Sequence, residues 1–502
     1  MEDNAKITKI TYAKNLQTLN INTVISTPID ANVNIKKIID VCTYIYDTKT
    51  ECGNGKAIIN GKLGVKVLYV DTDNITNTLT DTQTFSESYT NSTITNDCIL
   101  NISDCNISHS ILSTEGSLKI SLDIVINPIC YVNLPMNTNT NFENMIIKKS
   151  EIHTNSITQF VNTNFDYTLN FETKENITKI LCHNAHYSNT SLTCYDNYAV
   201  AEGKLYSTLI FETTENEETK IKQLNDCFNI KTDISLDGLS ADCMMDVSFS
   251  LDKSRENITT ETEDDNNIIT IQNKINVVGV CTKNVTIEVV DDLYSVENEI
   301  ELNLSKRDYT KDVHYYCITD SVINEINLTN EETAIDDVIA NLEIASEITN
   351  SYIKDETLFI EGIISSNLAY IDENKDYQTK NCEIPFIINT KIALNKLDCV
   401  HSTVNVSDCK VKIKRGTIIE LEYFVTTNVC VYEQDIKELV DNITIGKSVN
   451  FSNYDYQIYL AKPNETMWEL CKRIKTTPEN INRYNKNLPI EFIGNEKIII
   501  KR

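Results

Sequence analysis

Apolar and polar residues alternate along most of this chain, and three of the alternating stretches are versions of one another. Ala57-IINGKLGVKVLYV-Asp71, Tyr198-AVAEGKLYSTLIF-Glu212 and Leu358-FIEGIISSNLAYI-Asp372 each carry a glycine (Gly61, Gly203, Gly362). Eight residues later each has an aromatic (Tyr69, Phe211, Tyr370). A period of two sustained over such a length predicts a long strand with one buried face. A glycine inside the strand predicts a bulge or a bend.

A second landmark follows each stretch. Gly116-SLKISLDIVINPI-Cys130, Asn267-IITIQNKINVVGV-Cys281 and Gly416-TIIELEYFVTTNV-Cys430 all run fourteen positions to a cysteine. Just upstream, Asn101-ISDC-Asn106 echoes Asn405-VSDC-Lys410, while the middle copy keeps only Asp246-VSFSL-Asp252. A cysteine precedes the glycine by nine residues in two copies (Cys52, Cys194); Ile353 takes that slot in the third, which fits a packed apolar site better than an obligatory ligand or disulfide. Residues 334–345 align with 34–46, which favours a strand over a helix there.

Self-similarity at this spacing predicts three β repeats, over 33–132, 173–283 and 334–433. Each is about a hundred residues of short strands, the size of a β-sandwich or barrel. Residues 1–32 form an N-terminal segment. The stretches 133–172 and 284–333 read as connectors too long for turns, the first with strand-like alternation, and 434–454 reads as a linker.

The last segment, 455–502, changes character. Tyr456–Leu460 reads as a strand. Thr466 is a helix N-cap, with Met467, Leu470, Cys471 and Ile474 on one face of the helix that follows. Thr477-Pro478-Glu479 opens a second helix with proline at its first position. Gly494-Asn495 is a turn, and 497–501 returns as a strand. The order β-α-α-β, with Asn464-Glu465-Thr466-Met467-Trp468 and Asn485, resembles a LysM domain. Thr466, Trp468 and Asn485 match that family's pattern, while Asn464 stands where it has glycine and Glu465 where it has aspartate. The resemblance implies a shallow groove for N-acetylglucosamine polymers or protein, between Asn464, Glu465, Thr466 and Met467 on one side and Leu488, Pro489 and Ile490 on the other. Loss of the glycine moves the expectation towards protein.

Composition narrows the function. The chain has 502 residues and a formal charge of −28, which repels nucleic acid and anionic membranes. No run of about 18 apolar residues suggests a membrane-spanning helix, and the polar start Met1-Glu2-Asp3-Asn4 predicts no secretion signal. Sixteen cysteines include no Cys-x-x-Cys pair, so zinc-ribbon and thioredoxin readings fall away. Cys52, Cys105, Cys130, Cys194, Cys281, Cys409 and Cys430 stand as core residues or as cross-linking thiols. There is no Gly-x-x-x-x-Gly-Lys loop, Gly-x-Ser-x-Gly elbow or His-Glu-x-x-His helix. Cys182-His183 is adjacent, but neighbours on a strand point to opposite faces. No catalytic residue, metal site or cofactor is expected.

Three β repeats before one LysM-like module resemble the SipL-type SPOCS-domain proteins of spore-forming clostridia, on the Gly-to-aromatic and Gly-or-Asn-to-Cys landmarks above. That resemblance implies a mainly-β, non-enzymatic scaffold made in the mother-cell cytoplasm and ending on the spore surface, in coat or exosporium. It implies a SpoIVA-type coat ATPase as partner, bound through the LysM region. Two alternatives stay open: a peptidoglycan-binding protein at the cortex, and a self-assembling, cysteine-cross-linked layer or appendage subunit.

Overall fold

A computed structural model describes residues 7–28, 35–96, 98–102, 105–114, 117–137, 142, 144–215, 218–263, 266–328, 334–374, 376–394, 398–414, 416–451 and 455–501. Gly116, which opens one of the cysteine landmarks, and Ser103-Asp104 of the Asn101–Asn106 motif lie outside the described residues. The protein is mainly β, as its alternation predicts, with two short helices near the C-terminus.

The chain runs through one scheme of pairings three times. The first pass holds β1 (Ile7–Asn15), β2 (Leu19–Pro28), β3 (Ile35–Gly53), β4 (Lys56–Asp71), β5 (Thr76–Thr90), β6 (Ile99–Asn101), β7 (Cys105–Thr114), β8 (Ser117–Ile126) and β9 (Ile129–Asn137). The second holds β10 (Met145–Thr173), β11 (Ile177–Tyr195), β12 (Tyr198–Glu215), β13 (Glu218–Ser235), β14 (Cys243–Leu251), β15 (Asn257–Glu263) and β16 (Asn266–Ser295). The third holds β17 (Asn298–Asn327), β18 (Ile335–Lys354), β19 (Thr357–Asp372), β20 (Tyr377–Lys391), β21 (Cys399–Lys414) and β22 (Ile418–Ser448). Each pass makes a meander, β3-β4-β5, β11-β12-β13 or β18-β19-β20. Each also makes a second sheet with its last long strand in the middle: β2-β8-β7, β10-β16-β14 or β17-β22-β21. All these pairings are antiparallel.

This register differs from the organisation suggested by spacing. Residues read as connector or linker are strands of the second sheets. Met145 at the start of β10 pairs with Ser295 at the end of β16, and Asn298 of β17 pairs with Ser448 of β22. The alternation marks these stretches as strand-forming, but their partners lie about 90 to 150 residues away, where a local pattern carries no information. In the first pass the same hairpin is cut in two. Pro128 lacks an N–H and cannot hold a ladder bond, so the chain breaks between β8 and β9, and Pro128 only accepts, from Leu16 N at 3.0 Å. Its counterparts by landmark, Gly279 and Asn428, sit inside the unbroken β16 and β22.

The landmark glycines share one environment. A Cβ on Gly61 would lie 2.6 Å from the Phe85 ring, on Gly203 2.5 Å from Tyr187, and on Gly362 2.3 Å from Phe386. Phe85 and Phe386 are the cross-strand partners of Gly61 and Gly362. Each glycine makes room for an aromatic ring laid across the strand. The expected bulge occurs too, but in the preceding strand opposite the glycine, at Tyr46/Lys49, Asn189/Ser191 and Ile348/Asn350. The landmark aromatics Tyr69, Phe211 and Tyr370 are all buried.

Within each pass the meander packs face to face on the second sheet. Leu63, Val65 and Val67 meet Leu118, Ile120 and Leu122 in the first, and Ala201 and Leu205 meet Ile271 and Ile275 in the second. In the third, Ile364 and Leu368 meet Ile419 and Leu421. Three further apolar layers draw on all three passes at once. One joins the meanders through Leu68, Ile210 and Ala369, each one residue before a landmark aromatic. A second joins the ends of the long hairpins through Ile10, Ile152 and Tyr309. The third surrounds Tyr131, Val280 and Tyr432.

A buried polar junction lies in that third layer. The Asp246 carboxylate, on β14, accepts from Tyr131 Oη at 3.1 Å and from Tyr432 Oη at 2.5 Å, and meets His401 Nδ1 at 3.0 Å. The tyrosine hydroxyls also meet each other at 3.0 Å. Burial opposes the charge on Asp246, but His401 and the two hydroxyls outweigh it and hold its carboxyl below the ordinary range. This carboxylate of the second pass thus takes side chains from both the first and the third.

Removing the carboxylate takes away the acceptor shared by a buried imidazole and two buried hydroxyls. Asp246→Ala is expected to cost about 3–5 kcal/mol, read as a fall in the urea midpoint. Because the folded carboxyl titrates below its unfolded value of about 3.9, its contribution is complete above that pH and is lost as pH falls through the folded value. Denaturation midpoints of wild type should therefore drop faster below pH 4 than those of Asp246→Asn.

Candidate functional site

The C-terminal module is built from β23 (Tyr456–Leu460), α1 (Met467–Ile474), α2 (Pro478–Tyr484) and β24 (Lys497–Lys501), with β23 and β24 antiparallel. Thr466 caps α1 in a capping box: its Oγ1 accepts from Glu469 N at 3.3 Å, and the Glu469 carboxylate accepts from Thr466 N at 2.8 Å. Thr477 caps α2 and Pro478 fills its first turn. Asn485 welds the end of α2 to β24, donating to Ile481 O and Ile499 O and accepting from Ile499 N at 2.8 Å.

The two loops singled out by sequence lie side by side. Asn464 N donates to Phe492 O at 2.8 Å, Phe492 N donates to Glu465 O at 2.9 Å, and Thr466 bridges Glu491. The seven residues play different parts. Glu465 turns inward: its carboxylate takes a bidentate bond from Arg473 (2.6 and 2.8 Å) and accepts from Lys462 N. Arg473, against the cost of burial, holds that carboxyl below the usual range. Thr466 is engaged in the cap, and Met467 and Leu488 pack on the module core. Asn464, Pro489 and Ile490 face solvent. Asn464 has φ +61°, a left-handed conformation that asparagine adopts at little cost, so it keeps the loop shape that a glycine would give. The spacing missed Ile493, which is 86% exposed beside Ile490 at 89%. The outer face of the two-stranded sheet is also apolar, through Tyr456, Ile458 and Leu460.

Trp468 does not line that groove. Its Nε1 donates to Asp292 at 2.7 Å, and its ring stands edge-on to Tyr294 with centroids 5.2 Å apart. Lys472, one turn on, meets the same Asp292 at 2.5 Å, and Tyr294 Oη donates to Thr476 O at 2.7 Å. These contacts seat the module on the β10–β16 hairpin end.

The cysteines lie mostly inside. Cys130, Cys281 and Cys430 are buried, and Cys52, Cys105, Cys194 and Cys409 are half-buried. Spacing missed three others that recur in register. Leu100, Met245 and His401 pair with Cys130, Cys281 and Cys430, and two residues before each stands a buried cysteine: Cys98, Cys243 and Cys399. A hydrogen bond with Cys98, followed by burial, pushes the Cys130 thiol up; burial pushes Cys281 up to about 12 and Cys194 up to about 11. Burial of this kind makes a thiol a weak nucleophile towards reagents in bulk solvent. The exposed cysteines are Cys227 and Cys317, neither of which stands out in the sequence. Cys182 and His183 are both buried, and His183 bonds Ser207 and Glu256.

Residues 34–120 match the family model described as SipL, SPOCS domain. The chain carries a SPOCS domain. The matched residues run through the whole first meander and β7 into β8, and include Gly61, Tyr69, Cys52 and Cys105. No curated protein and no solved structure matches the chain. This match supports a sporulation-related protein of the SipL/SPOCS type. No helix among the described residues is long and apolar enough to cross a membrane.

The seat of the module predicts a local effect. In Trp468→Ala, loss of a half-buried ring should cost about 2–3 kcal/mol of docking, below the ~3–5 of a fully buried one. Amide exchange across 467–484 should quicken while the β3–β5 meander stays protected, as read by hydrogen-exchange mass spectrometry.

Proposed function

We propose that this chain is a non-enzymatic scaffold of the spore envelope, in coat or exosporium, that joins coat proteins through its β units and a LysM-like module. The threefold recurrence of the pairing order supports extending the SPOCS reading from residues 34–120 to 173–283 and 334–433, with the flanking long strands as part of each unit. The order β-α-α-β, the capping box at Thr466 and the weld at Asn485 support the LysM reading of 455–502.

One observation carries the choice of ligand. Ile490 and Ile493 stand almost wholly exposed on a segment, 455–502, with nine Lys or Arg against six Asp or Glu, in a chain of net charge −28. Large aliphatics at the loop tip of a segment with more basic than acidic residues fit a protein surface with an apolar pocket. A hexosamine polymer is better served by backbone donors and flat aromatic faces. The partner we favour is a coat morphogenetic ATPase of the SpoIVA type; a homo-oligomer is an outcome of the same test.

Binding of the purified full-length chain to such an ATPase should weaken about tenfold or more in the double variant Ile490→Asp/Ile493→Asp, measured by biolayer interferometry, with circular dichroism unchanged. Unaltered affinity would remove the module from the interface. Sedimentation of the chain with purified peptidoglycan, retained in that double variant, would favour the cortex-binding reading instead.

A further inference from the structure

The first and second units meet at a cavity of about 190 Å³ that none of the roles above uses. Asp40, Cys42 and Lys66 line it from the first meander, Cys182 from β11, and Lys253 and Glu256 from the turn between β14 and β15. That turn is built. Asp252 is buried and its carboxylate accepts from Ser254 N at 3.1 Å and Ser254 Oγ at 2.5 Å, which aims Lys253 across the unit boundary. Lys253 Nζ then donates to Cys42 Sγ at 3.0 Å. In the same cavity wall the Glu256 carboxylate is engaged by His183 Nδ1 at 2.5 Å.

An ammonium donating to sulfur stabilises thiolate over thiol. Cys42 is buried too, in a cavity shared with the Asp40 and Glu256 carboxylates, but the ammonium contact distinguishes it from Cys182, Cys281, Cys399 and Cys430, which are pushed up chiefly by burial. Cys42 and a second thiol, Cys182, stand on the wall of one small cavity, on strands of two different units.

We propose that Cys42 is a peroxide-reactive modification site, with Cys182 as its resolving thiol, and that their disulfide staples the first unit to the second. In the first step the Cys42 thiolate attacks one oxygen of hydrogen peroxide. The S–O bond forms, the O–O bond breaks, and the departing hydroxide takes a proton to leave as water. In the second, Cys182 sulfur attacks the Cys42 sulfenic acid. The S–S bond forms, the S–O bond breaks, and hydroxide leaves with the Cys182 proton as water. Two thiols and one peroxide give one disulfide and two waters.

The test uses the reduced full-length protein and peptide mass mapping. With limiting iodoacetamide at pH 7, Cys42 should react about tenfold faster than Cys130 or Cys281. Lys253→Met should remove that advantage and Lys253→Arg should keep it, which separates loss of charge from loss of fold. Hydrogen peroxide should yield a Cys42–Cys182 linked peptide in wild type, and in Cys182→Ser a Cys42 adduct of the sulfenic-acid probe dimedone. Alkylation of Cys42 at the rate of the other buried thiols, or an unchanged rate in Lys253→Met, would overturn the reactive site. Dimedone labelling of Cys42 in wild type with no linked peptide would overturn the role of Cys182.

Discussion

The three units meet at a single buried carboxylate. Asp246 lies on β14 of the second unit and is met by Tyr131 from the first and by His401 and Tyr432 from the third. A buried charge is tolerated only where its partners are fixed in place, so this junction has one geometry. The apolar layers around it contribute the area, but area is non-directional and would accept many rotations of one unit against another. The polar contacts select among them. Leu68, Ile210 and Ala369, at one repeat position, meet in a shared layer.

The same constraint shapes what the protein offers to others. With the interior of each unit closed by face-to-face sheets, most of the thiols are used up as packing groups, and only Cys227 and Cys317 are exposed to a second chain. An envelope layer linked through the buried landmark cysteines would require the units to open. The recurring pairs, Cys98 with Cys130, Cys243 with Cys281 and Cys399 with Cys430, are better understood as small, polarisable core residues at one register position.

The C-terminal module adds a different kind of surface. It is seated on the second unit by Trp468, Lys472 and Tyr294, so the aromatic that a groove could have used is turned to the scaffold instead. Glu465 is likewise drawn inward by Arg473. What remains outward is aliphatic, Ile490 and Ile493, on a positively charged segment. This division of labour within one short motif is what turns the reading from sugar towards protein.

Much of this was legible in the residues alone. Alternation marked the strand-forming stretches, the glycine-to-aromatic spacing marked three related stretches, and Thr466, Pro478 and Asn485 marked helix ends near the C-terminus, because each is a local preference of the backbone or of one strand face. Pairing was not local. The long strands at 145–173 and 298–327 looked like connectors because their partners lie at the far end of each unit. The Asp246 junction, the seat of Trp468 and the contact of Lys253 with Cys42 join residues 115 to 211 positions apart or more. No periodicity records such a separation. Those contacts exist only once the sheets have packed, since burial is what makes an ion, an indole N–H or a thiol select one partner.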